Sequence, residues 1–95
     1  MLDNNNEVYI LGDFNICMLK NSRLKDKYSK LLESNNFKQL INSPTRETNS
    51  SSSLIDHICT NSSEKVSQSG VIETGLSDHF IIFCIRKKVR KLSWT

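Results

Sequence analysis

Three short stretches of the sequence place carboxylate, amide and imidazole side chains beside apolar segments. They are Gly-Asp-Phe-Asn at positions 12–15, Ile-Asp-His-Ile at positions 55–58 and Leu-Ser-Asp-His at positions 76–79. Carboxylates can hold a metal ion or orient a water molecule, and amide or imidazole groups can contact a phosphate oxygen. These stretches therefore contain the residues of the chain that could perform chemistry.

Asp13 and Asn15 are two residues apart, so on an extended backbone their side chains share a face while Phe14 points into the core. Asp13 could then orient a water molecule, and Asn15 could donate a hydrogen bond to a phosphate. A plain turn is the alternative, because glycine, aspartate and asparagine all favour turns.

Asp56 interrupts the apolar segment at positions 54–59, where an unpaired charge would be costly. A histidine is a suitable partner, because a carboxylate fixes the imidazole tautomer. Adjacent residues of a strand point to opposite faces, so His57 is a poor partner and His79 is the better one. An exposed carboxylate on an edge strand is the alternative.

Asp78 and His79 directly precede the most apolar segment of the chain, and such a pair can serve a metal ion or a phosphate. Carboxylates combined with water and phosphate oxygens suit Mg²⁺. The alternative is that Ser77 and Asp78 merely end a turn. A zinc site built from His57, Cys59 and His79 is a competing idea, but their spacing matches no established zinc pattern.

The apolar pattern predicts the elements that must position these residues. It predicts a strand at 8–11, a helix at 24–36 and polar connections at 45–53 and 61–68. It also predicts strands at 54–60 and around 71–72, and a doubly covered strand at 80–85. This order predicts a mixed α/β fold with layered sheets.

The chain has 95 residues, which sets one domain as the upper limit, and its hydrophobic content of 37% suits part of something larger. The net charge is only +3, but basic residues crowd the C-terminus. They are Arg86, Lys87, Lys88, Arg90 and Lys91. Either a solvated strand end or contact with a phosphate backbone would explain them.

Cys17, Cys59 and Cys84 form no Cys-x-x-Cys pair, which indicates free thiols in a reducing compartment. The polar N-terminus does not look like a signal peptide, and no apolar run is long enough to span a membrane. We therefore expect an intracellular protein, nuclear or cytoplasmic, with no membrane partner.

In this order, the three stretches resemble the endonuclease/exonuclease/phosphatase family, whose members include apurinic endonucleases, pancreatic deoxyribonuclease, inositol phosphatases and non-LTR retrotransposon endonucleases. The resemblance runs from about Val8 to Ile85. Pro-Thr-Arg at positions 44–46, ahead of a serine-rich loop, is most similar to the LINE-type retrotransposon branch.

The resemblance implies an α/β fold in which two β-sheets pack face to face with helices outside. For this chain it implies a partial four-layer α/β sandwich, mostly the second half of the family's domain. The expected boundaries are 1–95 for the partial domain, about 8–86 for its core and 87–95 for a basic tail.

The resemblance also implies a role for each candidate residue. Asp13 would activate the attacking water and Asn15 would hold the scissile phosphate. Asp56 would pair with His79, which would stabilise the charge that develops on the phosphate. Asp78 would help to hold the metal, Mg²⁺ or alternatively Mn²⁺. The residues expected to contact phosphate or DNA are Ser77, Ser53, Thr45 and Arg46.

Family members have an earlier half that supplies an asparagine, the main metal-binding glutamate and a tyrosine, and nothing before Asp13 matches them. Glu7 precedes the same strand as Asp13 and stands in the wrong place for the metal ligand. The resemblance thus implies a piece of a Mg²⁺-dependent retrotransposon DNA endonuclease that is inactive alone and belongs to a polyprotein with a reverse transcriptase. A non-catalytic nucleic-acid-binding remnant and a phosphatase of the same fold are the alternatives. We also expect an exposed apolar face.

Overall fold

The computed structural model describes residues 6–88 of the chain. Within this range the chain forms seven strands, one α-helix and one short 3-10 helix. In chain order they are β1 (Tyr9–Asp13), α1 (Arg23–Ser34), β2 (Lys38–Gln39), β3 (Arg46–Glu47), β4 (Ser52–Ser53), β5 (Asp56–Thr60), the 3-10 helix (Ser63–Lys65), β6 (Val66–Ile72) and β7 (Ile81–Arg86). Arg90 and Lys91 of the basic tail lie outside the described residues.

Strand β5 is the centre of the fold. It lies between β1 and β2 in an antiparallel sheet of order β1-β5-β2, and each of its five residues is buried. The register pairs Leu11 with Ile58 and Asp13 with Asp56. The last residue of β1 and the first residue of β5 are therefore two carboxylates that lie opposite each other.

The alternation of β5 separates two cores. Cys59 packs with Tyr28 of α1, whereas Ile58 packs with Val71 of β6 and Ile82 of β7. The described residues therefore form three layers: the helix, the β1-β5-β2 sheet and the antiparallel β6-β7 ribbon. The prediction of an α/β fold is confirmed at this level. The complete four-layer arrangement stays a prediction.

Helix α1 begins where the sequence offers a cap. The Ser22 hydroxyl accepts a hydrogen bond from the Lys25 amide at 3.0 Å, which satisfies one of the free amides of the first turn. Asn36 adopts a φ of 60°, and this left-handed residue ends the helix. Within residues 6–88, no helix is both long and apolar enough to cross a membrane.

Two predictions of polar connections were wrong. The segment 45–53, predicted as a loop, contains the β3–β4 hairpin, whose turn is held by the Thr48 hydroxyl on Ser51. Strand β6 begins at Val66, inside a segment predicted as a connection. Its polar residues Ser67 and Gln68 are exposed, and pairing with apolar β7 decides its conformation despite their low strand preference.

The expected exposed apolar face is present. Among the described residues, β1 pairs only with β5, and β7 pairs only with β6. Leu11 of β1 is 56% exposed, and Ile81 and Ile85 of β7 are 54% and 49% exposed. Two strands thus present open edges and apolar side chains, and both properties favour contact with further protein.

Glu7 ties the start of β1 to the end of β7. Its carboxylate accepts hydrogen bonds from Arg86 at 2.8 and 3.0 Å and from the Tyr9 hydroxyl at 2.6 Å, and Lys65 lies 3.8 Å away. The hydrogen bonds from Arg86 and then Tyr9 lower the pKa of Glu7 to about 2. Arg86, the first residue of the C-terminal basic cluster, therefore forms an ion pair with Glu7.

Replacing Glu7 by glutamine is expected to destabilise the fold at neutral pH and to have no effect in strong acid. Because the pKa of Glu7 is depressed in the folded state, its contribution is full above the ordinary pKa and is lost as the pH falls from about 5 to about 2. Urea unfolding of both proteins across this range measures the difference. The exposed Glu73, replaced by glutamine, is the control. An equal gap between wild type and Glu7→Gln at every pH would contradict the assignment.

Candidate active site

Three titratable side chains from distant parts of the chain meet at one end of the sheet. Asp13 ends β1, Asp56 begins β5 directly opposite, and His79 lies just before β7. One carboxylate or ring-nitrogen atom from each lies within 4.8 Å of the others. The β1–β5 register supplies the two carboxylates, and the chain entering β7 supplies the imidazole.

Asp56 and His79 form a hydrogen-bonded pair. The distance from His79 Nδ1 to Asp56 Oδ2 is 2.9 Å. The carboxylate is 12% exposed and the imidazole 38%, so the pair has a shielded end and an accessible end. The bond favours the tautomer with its proton on Nδ1 and leaves Nε2 for a substrate. The preference for His79 over His57, predicted from strand alternation, is confirmed as a contact.

His57 lies on the opposite face of β5 and is fully buried. Its Nδ1 is 2.8 Å from the Tyr28 hydroxyl, and its Nε2 is 3.1 Å from the Leu54 carbonyl oxygen. A neutral ring that donates from Nε2 and accepts at Nδ1 satisfies both contacts. Phe14 stacks on this ring, with centroids 5.2 Å apart and planes 19° apart. The predicted inward direction of Phe14 is confirmed, and sequence reasoning missed the anchoring role of His57.

The structure does not assemble the zinc ligands considered from the sequence. Cys59 Sγ lies 3.1 Å from the Tyr28 hydroxyl, on the helix side of β5, whereas His79 pairs with Asp56. Burial raises the pKa of the Cys59 thiol and that of the Tyr28 phenol, so both groups are neutral. A neutral thiol is a poor zinc ligand.

Asp13 and Asn15 form a tight turn at the end of β1. The Asn15 amide donates to Asp13 Oδ1 at 2.9 Å, and Asn15 has a φ of 53°. Asparagine tolerates this left-handed conformation better than most residues. Since β1 ends at Asp13, the turn that the sequence left open as the alternative to an extended backbone is the conformation found here. Asp13 and Asn15 are both exposed, and Asp13 lies within reach of the Asp56–His79 pair.

Asp78 lies outside the three-residue cluster. Its Oδ2 accepts a hydrogen bond from Arg46 Nε at 3.0 Å. Desolvation raises the pKa of Asp78, but the hydrogen bond and the charge of Arg46 outweigh it and hold that pKa below its usual range. The Ser77 hydroxyl accepts from the His79 amide at 3.1 Å, so it supports the turn before β7. The metal role of Asp78 and the phosphate contact of Ser77 stay predictions.

The three residues of the 45–53 segment that were expected to contact phosphate or DNA differ in their exposure. Arg46 is half-buried and close to the site through Asp78. Ser53 is half-buried in β4. Thr45 is fully buried, and its hydroxyl accepts hydrogen bonds from two backbone amides. A phosphate contact by Thr45 is therefore a wrong prediction for this structure.

An open cleft with a volume of about 320 Å³ leads to the cluster. Its polar end carries Asp13, Asp56 and His79, and its walls are apolar. The remaining lining residues are Leu11, Gly12, Phe80 and Ile82. A larger groove of about 430 Å³ lies between β2 and β6, far from the three titratable groups along the sheet. The smaller cleft is therefore the candidate site.

The donor atoms of the cluster suit a divalent cation only in part. Two carboxylates and an imidazole lie within mutual reach, but Asp56 and His79 already satisfy each other. Asp13 offers carboxylate oxygen to solvent, the ligand type that Mg²⁺ prefers, and Mg²⁺ fills its other positions with water and phosphate oxygens. The three residues could therefore hold a metal ion, and Asp13 offers the carboxylate that is not already paired.

A profile described as the endonuclease/exonuclease/phosphatase family matches residues 1–79. The matched range includes Asp13, Asp56 and His79. Neither the curated protein sequences nor the solved structures contain a match.

Proposed function

Since the chain belongs to the endonuclease/exonuclease/phosphatase family, we propose that it is part of a Mg²⁺-dependent phosphodiesterase that cuts DNA. The observation that carries this proposal is the convergence of Asp13, Asp56 and His79 within 4.8 Å at the end of an open cleft. Hydrolysis of a phosphodiester requires an oriented water and a group that stabilises negative charge, and these residue types supply both.

In this mechanism Asp13 orients the attacking water and accepts its proton as the water oxygen bonds to phosphorus. The bond from phosphorus to the leaving sugar oxygen breaks, and that oxygen takes a proton from solvent. Asn15, beside Asp13 in the same turn, donates to a phosphate oxygen. Asp56 accepts a hydrogen bond from His79 Nδ1–H, and its negative charge supports a second proton on Nε2. The Nε2–H group then donates to a phosphate oxygen and stabilises the charge of the transition state. A bound Mg²⁺ would add Lewis-acid polarisation of the phosphate.

DNA is the favoured substrate for two reasons. The cleft is open and short of polar side chains beyond the cluster, whereas a small inositol phosphate would need several more hydrogen-bond donors around it. Arg46, on the β3–β4 hairpin beside the site, is paired with Asp78 and would contact a nucleic-acid backbone by exchanging that carboxylate for a phosphate. The Pro-Thr-Arg stretch at positions 44–46 supports the retrotransposon branch of the family.

A pure binding remnant is the second candidate, and the buried end of Asp56 argues against it. A carboxylate that is 12% exposed and paired with a histidine contributes nothing to binding a phosphate backbone, which needs positive charge. The pair is useful to a group that must hold one tautomer during catalysis.

We further propose that the chain works as part of a longer protein that includes a reverse transcriptase. Within residues 6–88, Asp13 is the one carboxylate of the cluster without a basic partner, so a tightly held metal ion would need further ligands from that longer protein. The open apolar edges of β1 and β7 would pack against that further protein. Free Cys17, Cys59 and Cys84 suit a reducing compartment, the cytoplasm or nucleus.

Nicking of a supercoiled plasmid tests the proposal. The 95-residue chain and the longer reading frame that contains it are compared with Mg²⁺, with Mn²⁺ and with a chelator. We expect nicking by the longer protein with either metal, and none by the short chain. Robust nicking by the short chain would refute the need for outside ligands. Hydrolysis of inositol phosphates without nicking would replace the nuclease assignment by a phosphatase.

A further inference from the structure

Thr45 connects three separate segments around the site. Its amide donates to the Ser53 carbonyl at 2.9 Å, and its own carbonyl accepts from the Phe80 amide at 2.7 Å. Its hydroxyl accepts from the amides of Ile55 and Asp56 at 3.1 and 3.0 Å. The hairpin, the start of β5 and the segment entering β7 therefore share one buried residue.

The hydroxyl of Thr45 acts as a double acceptor. A threonine oxygen has two lone pairs, so it can accept two hydrogen bonds at once, whereas a methyl group in its place can accept none. The side chain is 0% exposed, so no solvent replaces the oxygen if it is removed. Two buried amides would then lose their acceptor at the point where the chain enters β5.

We propose that Thr45 is a positioning residue that brings Asp56 and His79 into contact. Asp56 is attached to the Thr45 hydroxyl through its own amide, and His79 is attached to the Thr45 carbonyl through the following residue. The neighbouring Arg46 also forms a β-bridge with His79. The 2.9 Å contact between groups 23 residues apart is thus set through one residue. This inference rests on the proposed function and deepens it, because the pair matters most if it is catalytic.

The test reads the tautomer of His79 by ¹⁵N NMR in the 95-residue chain, well above the pH at which imidazoles titrate. Thr45→Val removes the acceptor with little change in volume, and Thr45→Ser keeps it. We expect Thr45→Val to lose the predominance of the Nδ1–H form and Thr45→Ser to retain it. Amide exchange at Ile55 and Asp56 should also rise about tenfold in Thr45→Val, because the freed amides lose their partner.

Thr60→Val is the matched control. Thr60 is equally buried, at the other end of β5, and its hydroxyl donates to the Val8 carbonyl and accepts from the Ser62 amide. A general loss of stability would affect both valine variants, whereas positioning predicts that Thr60→Val leaves the His79 tautomer unchanged. An unchanged tautomer in Thr45→Val, or an equal change in Thr60→Val, overturns the proposal.

If Thr45→Val does not fold, hydrogen exchange of backbone amides in the wild-type chain tests the hydroxyl contact instead. Protection of the Ile55 and Asp56 amides comparable to that of central β5 supports the hydroxyl contact, and rapid exchange of both overturns it. Neither readout involves DNA or metal. A tautomer that depends on Thr45 in a protein that never nicks DNA would therefore remove the proposed function and leave the positioning role intact.

Discussion

Replacing Asp56 by asparagine is expected to slow DNA nicking by about three to four orders of magnitude, because a comparable carboxylate-to-amide change beside a catalytic histidine costs about 10⁴. An amide keeps the shape of Asp56 but cannot hold the Nδ1 proton of His79 with a negative charge. The imidazole would then lose its fixed tautomer and its support for positive charge. The longer protein that nicks plasmid is the form to assay, and circular dichroism checks that the variant folds.

Asp78→Asn is the matched control for this effect. Asp78 is adjacent in sequence to His79, but its carboxylate contacts Arg46 at the surface and lies outside the cluster. We expect a loss of about tenfold or less, since exposed ion pairs contribute little. A loss for Asp78→Asn equal to that for Asp56→Asn would show that the buried pair is not the main source of rate, and would return the metal role to Asp78.

The pairing of Asp56 with His79 could be predicted because two local rules act together. Strand alternation removes His57 as a partner, and the cost of burying a charge demands another. Both rules operate within a few residues of Asp56 and need no knowledge of the whole fold. The structure agrees, with a contact of 2.9 Å.

The burial of Thr45 could not be predicted in the same way. It stands at the edge of a polar, serine-rich stretch, and threonine occurs both inside proteins and on their surfaces. Its position depends on contacts with Ser53 and Phe80, which are eight and 35 residues away in the sequence. Such contacts arise from how the hairpin and β7 meet, which no periodicity records.

The contact between His57 and Phe14 could have been predicted if the register of β1 on β5 had been known. Once β1 is aligned with β5, Gly12 lies opposite His57 and Asp13 lies opposite Asp56. Phe14 then follows on the helix side, where His57 also points, and the two rings stack. Alternation alone gives the faces of each strand, but the pairing of two strands needs their register.

Asp13→Asn is expected to remove metal-dependent activity without disturbing the turn at the end of β1. The backbone N–H of Asn15 donates a hydrogen bond to Asp13 Oδ1, and the side-chain oxygen of an asparagine at position 13 can accept the same bond. Asp13 is also exposed, so the substitution should leave the fold and its stability unchanged. What it removes is the one carboxylate of the cluster that is free to meet a cation or a water molecule.

We expect Asp13→Asn to reduce nicking by the longer protein by about three orders of magnitude, the scale typical of losing one electrostatic contact to a transition state. In the 95-residue chain, Mn²⁺ should broaden the NMR signals of Asp13, Asp56 and His79, and this broadening should largely disappear in the variant. Glu47→Gln, an exposed acidic residue on the nearby β3, is the control and should behave as wild type. Broadening that persists in Asp13→Asn would place the cation on other ligands. Because the variant keeps the turn, lost nicking with retained stability would then trace the reaction to the charge of Asp13 rather than to the shape of the loop.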